Sequence, residues 1–296
     1  MTQIRFYLVH ACVTALLSAS LVTTSQAADP PEEDTRDISI RSDLVRTGLY
    51  LISGGGSNTL MRLSESGSVL VDSKTAGSFR PLMAQTRRIS ALSDLPVRVL
   101  FVTDHHAHHT GNFGQFLTAG IAVIAQENAK PRLSSIPETG ARTLAPVVTF
   151  DREYSLKIGG VEVRSLHFGK GHTDNDAVVY FPDLKVVAIG DLFTPEVPVP
   201  DFAGGGSLAG WGPALEQVLK LDFDIAVPSV GPPMSRANLL AFKTRIDILT
   251  ARATALIRRG VAKDQLLSQL SVDDLGWRLD WGVEQLDGLY SDLSMP

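Results

Sequence analysis

The sequence predicts an α/β fold in which two β-sheets pack together with helices outside. Three observations carry this. Apolar runs of strand length recur along the chain, glycine- and proline-containing turns separate them, and each of two successive halves places strands first and helices after. With 296 residues, 44% of them hydrophobic and 20% charged, the chain suffices for one large domain or two small ones. The formal charge of -5 favours neither nucleic acid nor an anionic membrane as partner.

The first residues do not belong to this fold. Arg5 is the only charged residue before Asp29. An apolar segment spans 6–22, interrupted by His10 and by Ser and Thr, and Ser25-Gln26-Ala27 follows as a small-x-Ala cleavage signature. Residues 1–27 therefore read as a secretory signal peptide. A membrane anchor is the alternative, but the apolar segment is short and too often interrupted for a span. Cleavage leaves no stable membrane anchoring and places the mature protein in a periplasm or outside the cell. The single cysteine, Cys12, leaves with the signal, so any metal must be held by histidines and carboxylates. Residues 28–43, with the run Asp29-Pro30-Pro31-Glu32-Glu33-Asp34, read as a flexible leader, and 44–296 as one domain.

Strands are expected at 49–53, 58–63 and 68–72, joined by Gly54-Gly55-Gly56 and by Glu65-Ser66-Gly67 as a meander. Phe79, Leu82, Met83, Ile89 and Leu92 recur near the helical period, predicting a helix over 78–92. A buried strand at 97–102 leads into a histidine-rich stretch. A short helix at 112–118, a strand at 121–125 and a helical 126–133 follow. A second β-rich half is expected to open near Val147, with strands at 154–158, 161–167, 177–181 and 186–189. A glycine-rich loop at 203–206 precedes a helix at 210–219, a strand at 225–228 and a long helix at 238–259 that Gly260 ends. The tail adds one or two short helices.

Chemistry concentrates after the strand at 97–102. Thr103-Asp104-His105-His106-Ala107-His108-His109-Thr110-Gly111-Asn112 holds four of the seven histidines. Neutral imidazoles and a carboxylate at one strand end are what a divalent transition metal needs. Asp104, His106 and His108 alternate, so an extended backbone would place them on one side, while His109 must come from another angle. His172, in Gly171-His172-Thr173, and Asp191, in Gly190-Asp191, also sit at strand ends, where loops collect function on a rigid scaffold. Together these residues could hold one tetrahedral zinc, or two ions sharing a carboxylate. Each element alone has a plain reading: a solvated turn, a hydrogen-bonded histidine, a Gly-Asp turn. Their conjunction argues against it. His105 is expected to point away from the cluster, and His167 to be structural.

These motifs resemble the metallo-β-lactamase superfamily of hydrolases over about 44–242. Val69-Leu70-Val71-Asp72 matches the family's first strand pair. Asp104-x-His106-x-His108-His109, Gly171-His172-Thr173, Gly190-Asp191 and Pro228-Ser229-Val230 follow in the family's order and spacing. The resemblance implies a four-layer αββα sandwich with Zn(2+), one or two ions, at one edge between the sheets. Carried over by position, one metal site would be Asp104, His106 and His172. The other would be His108 and His109, with Asp191 bridging. The chain departs from the pattern twice. Asp104 stands where the family has histidine and His108 where it has aspartate, and Val230 replaces the last family histidine. Asp104 and His108 are the catalytic candidates, either of them able to serve the attacking water. The expected activity is exported, metal-dependent hydrolysis of an ester, thioester, lactone or amide in a small-molecule substrate by a metal-bound hydroxide. The alternative, motivated by Val230, is a degenerate non-catalytic member that binds metal or a ligand. The loop 202–211 and the turn 54–57 are expected to line the substrate site. Nothing in the sequence sets an oligomeric state.

Overall fold

A computed structural model describes residues 39–91, 95–133 and 147–294; the stretch read as a signal peptide and most of that read as a leader lie outside them. The first sheet has seven strands in sequence order: β1 (Arg41–Arg46), β2 (Leu49–Ser53), β3 (Thr59–Ser64), β4 (Gly67–Val71), β5 (Val97–Phe101), β6 (Ala122–Gln126) and β7 (Val147–Phe150). Its first four strands are an antiparallel meander, and the pairs from β4 to β7 are parallel. The second sheet runs β13-β12-β11-β10-β9-β8. Its strands are β8 (Glu153–Ile158), β9 (Val161–Leu166), β10 (Val178–Phe181), β11 (Val186–Gly190), β12 (Ile225–Pro228) and β13 (Met234–Ser235). Only β11 and β12 pair in parallel there.

Helices α1 (Phe79–Ile89), α2 (Ala107–Thr110), α3 (Phe113–Thr118) and α4 (Lys130–Leu133) accompany the first sheet. Helices α5 (Leu208–Val218), α6 (Arg236–Arg258), α7 (Lys263–Gln269) and α8 (Val283–Ser294) accompany the second. Because side chains alternate along a strand, each sheet has two apolar faces to bury. Val69 and Val71 of β4 meet Val179 and Phe181 of β10 between the sheets. Leu70 instead turns outward to Leu82 and Phe116 under α1 and α3. Tyr180, Val187 and Ile189 turn outward to Trp211, Leu239 and Phe242 of α5 and α6. Three apolar layers therefore separate four structural layers, the expected αββα sandwich. Phe242 is fully buried, against Phe193, Trp211 and Trp277; burial of such a side chain contributes ~1.5–3 kcal/mol.

The outer helices have local start and stop signals. Ser235 caps α6 in a reciprocal capping box with Asn238. Gly260, at φ 78°, takes the left-handed conformation that ends it. Ser207 caps α5 through the Gly210 N–H and also donates to Asp292 of α8, fixing these two helices together.

Two sequence expectations are corrected. β1 begins inside the stretch read as leader. It is a largely exposed edge strand without apolar alternation, so the period-two signal is missing. β7 does not open the second half; it closes the first sheet beside β6, because a strand's composition does not encode which sheet it joins. Among the described residues, no helix is long and apolar enough to cross a membrane.

Candidate metal centre

The site lies where parallel strands end. β4 and β5 run in parallel in one sheet, β11 and β12 in the other, so in each pair the carboxyl ends emerge together. Asp72 follows β4, Asp104 to His109 follow β5, Asp191 follows β11, and Ser229 and Val230 follow β12. His172 sits in the turn between β9 and β10. Asp176 closes this turn by accepting from the Thr173 hydroxyl at 2.6 Å and from its N–H. Gly190 is required before Asp191. Its φ is 58°, and a Cβ there would lie 2.8 Å from Thr103 Cβ.

Asp191 Oδ2 is the point of convergence. It lies 3.0 Å from His108 Nε2 and 3.4 Å from both His109 Nε2 and His172 Nε2. Asp104 Oδ1 accepts from the His106 N–H at 2.7 Å and approaches His106 Nδ1 to 3.2 Å, while Asp104 Oδ2 faces His109 Nε2 at 3.4 Å. Among the described residues three donor groups result: Asp104, His106, His172 and Asp191 in one, His108, His109 and Asp191 in a second, and His105, His106 and Asp201 in a third on the outer side of His106. Within each, the donor atoms lie within 4.8 Å of one another.

Outer partners orient these donors. His109 Nδ1 meets Asp72 Oδ2 at 2.8 Å, so Nε2 faces the cluster, and Thr103 holds Asp72 through its N–H and hydroxyl, both at 2.8 Å. His172 Nδ1 meets the Val199 carbonyl at 2.9 Å, which aims its Nε2 at Asp191. His106 Nε2 meets Asp201 Oδ2 at 3.1 Å. The Ser229 hydroxyl donates to Asp191 Oδ1, leaving Oδ2 to the imidazoles. A histidine whose far nitrogen is held by a carboxylate or carbonyl is the usual support of a metal ligand.

Three buried atoms have no hydrogen-bond partner here: Asp104 Oδ2, His106 Nδ1 and His109 Nε2. Buried polar atoms are nearly always paired; Asp104 Oδ2 faces His109 Nε2 at 3.4 Å and His106 Nδ1 lies 3.2 Å from Asp104 Oδ1, so cations held by the donor groups would satisfy these atoms. The donor set, imidazoles and carboxylates without thiolate, suits zinc and related divalent ions. The residues therefore fit a metal.

Charge in the cluster is strongly coupled. Burial pushes the Asp191 carboxyl up, but hydrogen bonds from His108 and His109 and the charges of His109 and His172 outweigh it and hold it far below the usual range. Asp104 behaves alike: burial opposes ionisation, and His109 and the His106 contact overcome it. Burial would lower His106, yet Asp104, Asp201 and Asp191 push it up to about 9. His109 rises well above its ordinary value, against its own burial, through Asp104 and Asp72.

The six residues singled out in the sequence, Asp104, His106, His108, His109, His172 and Asp191, thus lie together. The route differs from expectation. The backbone does not stay extended through His108; it turns into α2 at Ala107, so His108 groups with His109 and Asp191, while its ring still stacks on that of His106 with centroids 5.8 Å apart. His105 does not stand apart either. It stacks on His106 with ring centroids 4.5 Å apart and brings Nε2 to 3.8 Å from Asp201 Oδ2. His167 Nδ1 meets the Asp176 carbonyl at 2.8 Å, outside the cluster. The holding contacts of Asp72, Ser229 and Asp201 were not predicted. Asp72 and Ser229 fell inside recognised motifs, whereas Asp201 carries no spacing signal.

Two cavities flank His172. One, of about 200 Å³, is lined by Asp191, Thr194, Glu196, Trp211 and Val230 among others. The second, of about 250 Å³, includes Val199, Asp201, Phe202 and Glu284. Loop 202–211 thus lines these cavities only in part, and 194–201 does more. Gly54 and Gly56 line a separate cavity that also reaches Val230. Val230 is 54% exposed, its side chain open to solvent where the family has an imidazole.

The family model of the metallo-beta-lactamase superfamily matches residues 52–230. The chain is 27% identical over 232 residues to 2,4-dinitroanisole O-demethylase subunit alpha of Nocardioides sp. (strain JS1661), covering 76% of this chain and 68% of that one. It is 25% identical over 194 residues to metallo-beta-lactamase IND-1 of Chryseobacterium indologenes, covering 64% and 74%. The structure is similar to a metallo-beta-lactamase from Pontibacter korlensis, with TM-score 0.60 at 21% identity over 71% of this chain and 99% of that one. It is also similar to the DIM-1 metallo-beta-lactamase, with TM-score 0.60 at 17% identity, covering 71% and 97%. At these identities the structural likeness establishes the fold, and the family model, spanning more than half of the chain, establishes descent: the protein belongs to the metallo-β-lactamase superfamily.

Proposed function

We propose that this chain is an exported, zinc-dependent hydrolase of small ester, thioester, lactone or amide substrates. The observation that carries the reading is the set of three unpartnered buried donors, Asp104 Oδ2, His106 Nδ1 and His109 Nε2, beside a cavity. Asp104, His106 and His172 would hold one ion and His108 and His109 a second, with Asp191 shared. When bound, such an ion supplies Lewis acidity to a water and to the scissile carbonyl.

The chain's own groups divide the remaining work. The Asp104 side chain is 1% exposed and that of His108 is 36% exposed. Asp104 therefore contributes fixed negative charge, and His108, the more exposed of the two, is the one that solvent can reach as a candidate general base. That role is open to His108 only while its nitrogens are free of metal, so the number of ions bound decides between base and ligand. Among the described residues the cavity walls carry Glu196 and Glu284 and no lysine or arginine, which favours substrates without negative charge. The relatives' names span a β-lactamase and an enzyme named for 2,4-dinitroanisole, an uncharged aryl ether, so both compounds belong in a substrate panel.

The test is metal analysis of the purified chain, followed by hydrolysis assays on chromogenic esters, thioesters, lactones, a β-lactam and 2,4-dinitroanisole. We expect at least one zinc per chain and turnover lost in His106→Ala and His172→Ala. Stoichiometric metal without turnover across the panel would instead support the non-catalytic binding protein that Val230 motivates. Export rests on the apolar 6–22 segment and Ser25-Gln26-Ala27. A secreted product beginning at Ala28 is the expected mass-spectrometric result.

A further inference from the structure

Residues 204–206 are three consecutive glycines, and each is forced by a close approach. A Cβ on Gly204 would overlap Asp201 Oδ2, one on Gly206 would overlap the His172 carbonyl, and one on Gly205 would meet Asp174 Oδ2 at 2.5 Å. The run therefore wraps the backbone tightly around Asp201. Four hydrogen bonds fix that residue. Its N–H donates to the His172 carbonyl at 2.7 Å, and its carbonyl accepts from the Gly206 N–H at 2.7 Å. Its Oδ1 accepts from the Gly204 N–H at 2.9 Å, which leaves Oδ2 facing His106 Nε2 at 3.1 Å. One residue thus touches two of the metal-ligand candidates, His106 through its ring and His172 through its backbone.

The contact with His106 has a chemical consequence. A neutral imidazole carries one N–H, and only the other nitrogen can bind a metal. A carboxylate at Nε2 accepts that N–H and leaves the Nδ1 lone pair toward Asp104, where Nδ1 is buried without a partner. The opposite tautomer would set the Nε2 lone pair against the Asp201 carboxylate and point its N–H at Asp104 Oδ1, 3.2 Å away, leaving no lone pair for an ion there. An ordinary surface ion pair would contribute ~0–1 kcal/mol and leave metal affinity untouched.

We propose that Asp201 is a positioning residue of the metal centre: when an ion displaces the Nδ1 proton, its carboxylate retains the Nε2–H of His106 and so presents Nδ1 to the ion shared with Asp104 and His172. The proposal rests on the metal-site reading above. It is tested by chelator-competition titration of zinc into the whole protein, wild type against Asp201→Asn. The amide nearly preserves shape but cannot accept from both His106 and Gly204 at once. Glu196→Gln, which removes an exposed carboxylate from the neighbouring cavity, controls for net charge. Asp201→Asn should weaken the first zinc by about 10–100-fold, while Glu196→Gln changes it by less than about twofold. Two-dimensional ¹H–¹⁵N spectra of the zinc-loaded wild type should show the His106 proton on Nε2 and its Nδ1 bound to metal. Equal zinc affinity in wild type and Asp201→Asn, or a His106 that binds through Nε2, would overturn the role of Asp201 alone. A wild type that takes up no divalent ion would overturn the metal-site reading with it, so the two failures are distinguishable.

Discussion

Asp104 and Asp191 are ionised throughout the physiological range, held there by histidine partners. In the metal-free protein the compensating positive charge is carried as protons on His106, pushed up to about 9, and on His109, raised well above its ordinary value. A metal can bind these imidazoles only after displacing those protons. The sign follows. Below about pH 9 His106 must lose a proton to become a ligand, so apparent zinc affinity rises with pH up to that point. The carboxylates add no slope because they are already deprotonated. We expect roughly a tenfold gain in affinity per pH unit for each proton displaced, measured by zinc titration from pH 6 to 8, and calorimetry in buffers of different ionisation enthalpy should detect the released protons. A pH-independent affinity over that interval would show that the histidines carry no extra protons in the metal-free state.

At the scale of elements, the parts that build the site were also the most legible. β4, β5, β11 and β12 are short apolar runs buried on most of their length, and their ends carry the Asp and His motifs. What escaped the sequence lacked such a pattern. β1 is exposed at the edge, β13 is two residues long, and α2 is a single turn inside a run of histidines that reads equally well as extended. The α2 turn matters most, because it groups His108 with His109 and Asp191, apart from the set that holds Asp104, His106 and His172. Asp201 was invisible for a different reason: its partner lies 95 residues earlier, and only the packing of the Gly-rich loop brings them together. The turn after β12 offers a constructive test. β12 lies parallel to β11, Ser229 holds Asp191, and Val230 lines the cavity beside it. Val230→His should therefore add a donor to the His108, His109 and Asp191 group. The expected outcome is a second zinc retained through dialysis, with affinity at least about tenfold above wild type; a gain of that size is ~1.4 kcal/mol. An unchanged metal count would mean that the turn aims residue 230 away from the cluster.

At the scale of the whole molecule, charge bears on which substrates the proposed site would admit. The chain is formally -5, and the cavities that flank His172 add Glu196 and Glu284 and, among the described residues, no lining lysine or arginine. Asp104 and Asp191 would offset the charge of one divalent ion, so the electrostatic character of the entrance with one ion bound is set by the outer carboxylates. A substrate carboxylate placed ~8 Å from one of these glutamates, at an effective dielectric of ~40, meets a repulsion of about 1 kcal/mol. One or two such glutamates, with no pairing cation among the described lining residues, would discriminate against anions in kcat/KM by about five- to thirtyfold. Matched esters with the same leaving group, one with a neutral acyl chain and one ending in a carboxylate, measure this directly. The neutral ester should be preferred, and the preference should shrink as salt is raised, since exposed charges are screened. Glu196→Lys supplies the missing cation and should raise kcat/KM for the carboxylate ester while leaving the neutral one within about twofold. Equal rates for the two esters in both proteins would place substrate binding outside these cavities, whatever the metal does.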